Sequence, residues 1–179
     1  MALPKVGMTL ITPYQDLITR DFSVLESLDP NAAAPMKDGE WLSLSATEGT
    51  LCRPGHADAK PATVNDTNPA VGPVWPVFTE RGRYDTQAVG KVTVLFGGAF
   101  EADFKMWALE DNGNITIGRQ MTVINDNSAN LDGQARGLLA HTGVAANAIT
   151  AGWVMKAPSN AGNSGSVIRV YCPGIALWK

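Results

Sequence analysis

Pro73-Val74-Trp75-Pro76-Val77-Phe78-Thr79-Glu80-Arg81-Gly82-Arg83-Tyr84-Asp85-Thr86-Gln87-Ala88-Val89-Gly90-Lys91-Val92-Thr93-Val94-Leu95-Phe96-Gly97-Gly98-Ala99-Phe100-Glu101-Ala102-Asp103-Phe104-Lys105-Met106-Trp107 is the stretch whose reading decides the fold. Three apolar bursts run through it. Val74, Trp75, Val77 and Phe78 come first, then Val89, Val92, Val94 and Phe96, then Phe100, Phe104 and Trp107. Gly, Pro or charge bounds each burst, the pattern of strands joined by turns. The stretch holds no cluster of His, Cys and carboxylates, so it reads as a β core built to hold a shape.

The same texture extends on both sides. Upstream, Asp38-Gly39 marks a turn, and Glu40-Trp41-Leu42-Ser43-Leu44-Ser45 alternates as a half-buried strand does. Glu48-Gly49 then turns the chain into Thr50-Leu51-Cys52-Arg53, and Pro54 closes that strand. Residues 54–73, with Pro54, Pro61, Pro69 and Pro73 around a polar Asn65-Asp66-Thr67-Asn68 centre, are expected to form a projecting contact loop. Downstream, Asp111-Asn112-Gly113-Asn114 is a hairpin turn, since Asn-Gly readily takes positive φ. It joins a strand ending at Leu109 to Ile115-Thr116-Ile117. Gln120 to Ile124 resumes the β pattern. Asn147 to Lys156 is a strand in which Gly152 marks a bulge or a close backbone approach. Ser166 to Cys172 is the last strand. The turn spacing gives roughly eight to ten short strands. The expectation is a mainly β domain over 38–179, an antiparallel β-sandwich or partly closed β-barrel.

Residues 1–37 have a different texture and are expected to form an N-terminal arm, extended or as a short helix. Thr12-Pro13-Tyr14-Gln15 has the N-cap, first-turn proline and capping-box pattern of a helix start. Leu17, Ile18, Phe22, Leu25 and Leu28 continue a loose helical spacing to Asp29-Pro30. Against this, Thr19, Phe22, Ser23 and Val24 are poor or middling helix formers. Either form leaves a sparse apolar stripe, so Leu17, Ile18, Phe22 and Leu25 are candidate partner contacts, with Trp178 near the other end of the chain.

A chain of 179 residues buries roughly 70% of its unfolded surface, enough for a core without metal or disulfide support. Charged residues make up 17% and the net charge is −3, below the roughly 25% charged share of an average globular chain. No Lys/Arg stripe is present, so binding to nucleic acid by counterion release has no visible means. No window reaches the apolar length of a membrane span, and Met1 to Leu10 lacks the form of a secretory signal, so neither a membrane nor export is expected. Cys52 and Cys172 could form one long-range disulfide; a reducing cytosol favours two free buried thiols.

Candidate chemistry is thin. Gly162-Asn163-Ser164-Gly165 places a serine between glycines, but without the strand–turn–helix setting of a nucleophile elbow it reads as a turn. His56, with Asp58 nearby, and His141 lack the three or four ligands of a zinc site. Asp126 to Gly133 alternates oxygen side chains, yet an EF-hand loop wants glycine where Leu131 stands and glutamate where Gly137 stands. Glu101 and Asp103, or Glu110 and Asp111, could pair as acid and base; spacing by two in a strand marks the solvent face more often. Trp75, Trp107 and Trp153 read as core. The expectation is therefore no catalytic residue, no metal and no cofactor.

The layout resembles the head decoration, or cement, proteins of tailed bacteriophages. The likeness is carried by Asp38-Gly39-Glu40-Trp41-Leu42, by Pro73 to Gly82, and by Asp85 to Leu95 with Gly97-Gly98. A fainter echo follows in Ile117 to Val123 and Ile149 to Val154. The resemblance implies a non-enzymatic virion protein, made in the host cytoplasm, that grips the major capsid protein on the capsid exterior. It also implies a homo-oligomer, with a trimer favoured and a dimer possible. The residues alone equally fit a tail or baseplate subunit, or a glycan- or host-surface-binding β domain using loops 54–73 and 125–133.

Overall fold

The structure is a computed structural model that describes residues 8–10, 18–27, 36, 39–60, 74–77, 91–103, 115–126, 136–141, 150–158 and 167–172. Among these, all regular structure is strand: β1 Met8–Leu10, β2 Ile18–Val24, β3 Trp41–Ser45, β4 Thr50–Cys52, β5 Ala59–Lys60, β6 Val74–Pro76, β7 Lys91–Asp103, β8 Gln120–Asp126, β9 Arg136–His141, β10 Gly152–Lys156 and β11 Val167–Cys172. Eight of them close a barrel in the order β7-β11-β10-β8-β9-β3-β4-β2 and back to β7. The sheet is therefore a closed barrel and not a sandwich. β1 is an extra strand on β7, while β5 and β6 pair with β3. Among the described residues every ladder is antiparallel except that between β2 and β4.

β7 is the spine. The sequence divides it into two strands at Gly97-Gly98, but the chain runs straight through as one strand. The glycines serve a bulge in place of a turn. Ile18 pairs with Gly97 and Thr19 with Leu95, so Phe96 is an extra residue on the β7 side, and Gly98 takes φ 137. An extra residue shifts the alternation by one. Before it, Val92 and Val94 join one apolar cluster and Leu95 the other; beyond it Phe100 and Ala102 join Leu95's cluster.

The two clusters lie on opposite faces of one wall. β3 pairs with β6 through Leu42↔Trp75, and Val77 just after β6 bridges to Val94 of β7. Along β3, Trp41 faces the larger cluster, while Leu42 and Leu44 face the smaller. Along β6, Val74 faces the larger and Trp75 the smaller. The larger cluster also includes Met121, Val123, Leu139, Val154, Ile168, Val170 and Cys172, and the Trp41 and Phe100 rings meet there at 6.1 Å. In the smaller one Phe22, Trp75 and Phe96 stack within 5.1–6.2 Å of one another. Two glycines permit the closest backbone approaches. A Cβ on Gly137 would run into the Trp41 carbonyl, and one on Gly152 would lie 2.6 Å from the Tyr171 carbonyl oxygen.

Several sequence expectations change here. Ile18–Val24 is a strand between β7 and β4, so this part of the arm is extended and belongs to the barrel. Ile115 to Ile117 is not a strand but leads into a turn, where Gly118 takes φ 82. The start of loop 54–73 folds back as β5 on β3; residues 61–73 lie outside the described residues, as does the hairpin turn at 111–114. β9 is a strand that the sequence reading did not single out.

Candidate functional site

Three strands bring the polar outer face together. Arg169 of β11 stands directly opposite Glu101 of β7, and Lys156 of β10 stands opposite Arg169. Arg169 donates to Glu101 Oε1 at 2.9 Å, and Lys156 Nζ lies 3.8 Å from the same oxygen. Glu101 is thus held between two cations, the arrangement of a cross-strand tie. Asp103 shares the strand, but its side chain lies outside the described ones, and Glu110 and Asp111 fall outside the described residues altogether.

The same face carries apolar groups. Trp153 pairs across from Tyr171, and a bulge between Val154 and Lys156 leaves Met155 out of the ladder. Tyr171 is 45% exposed, Met155 51% and Ile117 73%. Ile117 is held close to β10 because Gly118 donates to the Val154 carbonyl at 2.8 Å. Trp153 is only half-buried, a correction to its reading as core: Gly152 and Val154 take the inward positions and turn it outward.

A second polar cluster is buried. Glu40 has no exposed side-chain surface and takes both Nε and, at 3.3 Å, one terminal nitrogen of Arg53. The Arg53 backbone N–H donates to Glu26 Oε1 at 2.6 Å. One arginine thus joins the end of β2, the start of β3 and the end of β4. No sequence pattern announced it, since the partners are far apart in the chain and on different elements.

The remaining candidates separate as follows. His56 Nδ1 accepts from the Asp58 backbone N–H at 3.1 Å and lies 3.8 Å from its carboxylate in an exposed turn; no group of three metal-ligating side chains occurs among the described residues. His141 ends β9, with its side chain outside the described ones. Ser164, most of the 126–133 oxygen-rich loop, Trp107, Leu17 and Trp178 lie outside the described residues. Ile18 pairs with Gly97, and Phe22 is half-buried and packed against Trp75 and Phe96. Leu25 is 38% exposed. Cys52 and Cys172 are both buried and neither is in a disulfide. Burial pushes the Cys172 thiol up to about 12, so it is no nucleophile at neutral pH. Among the described residues no helix is long and apolar enough to cross a membrane.

Compared with family models, with curated proteins and with solved structures, the chain matches none.

Proposed function

We propose that the protein is a non-enzymatic structural subunit of a tailed-bacteriophage head, attached to the outside of the major capsid protein lattice as a decoration protein. One observation carries the reading. The separate stretches that bear the resemblance, Glu40-Trp41-Leu42, Val74 to Val77 and Lys91 to Gly98, meet as the β3–β6–β7 wall. The likeness thus falls on the part of the molecule that sets its shape.

Three of the described acidic side chains are used in the same spirit. Glu40 holds Arg53, Glu101 holds Arg169, and Asp21 accepts from Thr93 at 2.6 Å. In this reading the outer face with Ile117, Met155 and Tyr171 meets the lattice. Contacts to several subunits at once add through effective concentration, and binding the assembled shell in preference to dispersed subunits stabilises it by mass action.

The test is co-sedimentation with empty heads of the phage that encodes the chain. Binding at saturating protein, with a gain in capsid heat resistance, is expected, and Met155→Asp should weaken it while the barrel stays folded. No binding at saturation would refute the proposal. A glycan-array signal without head binding would replace it with a host-surface-binding domain.

A further inference from the structure

The sulfur atoms of the described side chains are sorted by depth. Met121 is buried in the larger cluster and Met36 in the smaller. Cys52 and Cys172 are buried and free. Met155, by contrast, is 51% exposed.

The backbone of β10 sets it there. Val154 stands opposite Val170 and Lys156 opposite Arg169, so Met155 is an extra residue on the β10 side. Plain alternation after the buried Val154 would turn Met155 out and bring Lys156 back in. The bulge keeps both Met155 and Lys156 exposed. Ile117 is fixed nearby through the Gly118 N–H bond to the Val154 carbonyl, so the thioether lies in the apolar part of the outer face.

A thiol must ionise before it reacts well with an oxidant, and access limits it further. Cys172, raised by burial to about 12, stays protonated at neutral pH, and the Cys52 thiol donates to the Leu44 carbonyl at 3.7 Å. A thioether needs no ionisation, so exposure decides its rate.

We propose that Met155 is an oxidation site: among the described sulfurs it is the one a peroxide reaches first, and its sulfoxide turns the outer face beside Ile117 from apolar to polar while the barrel stays folded. A sulfur lone pair attacks one peroxide oxygen, the sulfur–oxygen bond forms and the oxygen–oxygen bond breaks. The proton on the transferred oxygen passes to the departing hydroxide, which leaves as water; sulfur is oxidised and the peroxide reduced. Methionine sulfoxide reductases undo the change, one enzyme for each epimer of the sulfoxide. The proposal concerns the free protein and stands without the capsid reading.

Peroxide treatment of the folded, full-length protein tests it. Samples taken over time at neutral pH are digested and mapped by mass spectrometry. Met155 should be oxidised about tenfold faster than Met36 and Met121, or more, with Cys52 and Cys172 still reduced. Circular dichroism of the same samples should be unchanged. Equal rates at Met155 and the two buried methionines, thiol loss ahead of Met155, or unfolding that tracks Met155 oxidation overturns the proposal.

Hydrophobic interaction chromatography reads the change of face. The oxidised parent should elute earlier than the untreated protein, and the two reductases together should restore its retention. Met155→Leu, which conserves volume and removes the sulfur, should shift much less under the same treatment. An equal shift in that variant, or no shift in the oxidised parent, would equally overturn it.

Discussion

Replacing Phe100 and Glu101 one at a time tests the bulge in β7 directly. If alternation simply continued from Leu95, position 101 would point into the barrel and position 100 out of it; the extra residue at Phe96 reverses the two. Phe100 is 1% exposed and touches Trp41, so Phe100→Ala removes a ring from a closed core and should cost about 3–5 kcal/mol. Glu101 is partly exposed and tied by ion pairs, so Glu101→Ala should cost about 1 kcal/mol or less. For 179 residues the unfolding entropy is about 0.4 kcal/mol/K, which turns the Phe100 loss into a fall in Tm of about 8–13 °C. Urea unfolding at neutral pH, with the slope checked for constancy, measures both variants. A loss below about 1 kcal/mol for Phe100→Ala, or a larger loss for Glu101→Ala than for Phe100→Ala, would refute the assignment of the two faces.

Two further outcomes are expected. Arg53→Leu removes the guanidinium from a fully buried carboxylate and should cost about 3–5 kcal/mol, whereas Glu40→Leu/Arg53→Leu should recover much of that loss; equal losses in urea would show that the pair contributes little. Cys172 is raised in the folded state from 9.0 to about 12, so unfolding is favoured once the unfolded thiol ionises, and its contribution declines as pH rises from about 9 toward 12. Denaturation followed upward from about pH 8 should therefore fall more steeply in the parent protein than in Cys172→Ala, and parallel curves would contradict the burial argument.

What the sequence disclosed depends on how each element is buried. β3, β8 and β11 were legible because their apolar bursts sit between clear turn residues. β7 was split in two because paired glycines signal a turn far more often than the bulge they form here. β9 passed unnoticed because Leu138, Leu139 and Ala140 are all buried, and a strand covered on both faces loses its alternation. β2 was ambiguous for a related reason: Phe22 and Val24 pack on residues of β6 and β7 far along the chain, which local spacing cannot reveal. The Glu40–Arg53 joint had no local signal at all, whereas the spacing of Glu101 and Asp103 put Glu101 on the outer side only because a new strand was read after Gly97-Gly98; alternation carried on from Leu95 would have turned it inward.

The β3–β6–β7 wall has a mechanical consequence. Each of its strands contributes alternate side chains to two separate oily compartments, so neither compartment has a partition of its own. Loosening one side withdraws support from the other. A load applied to one compartment is passed through that shared septum into the other.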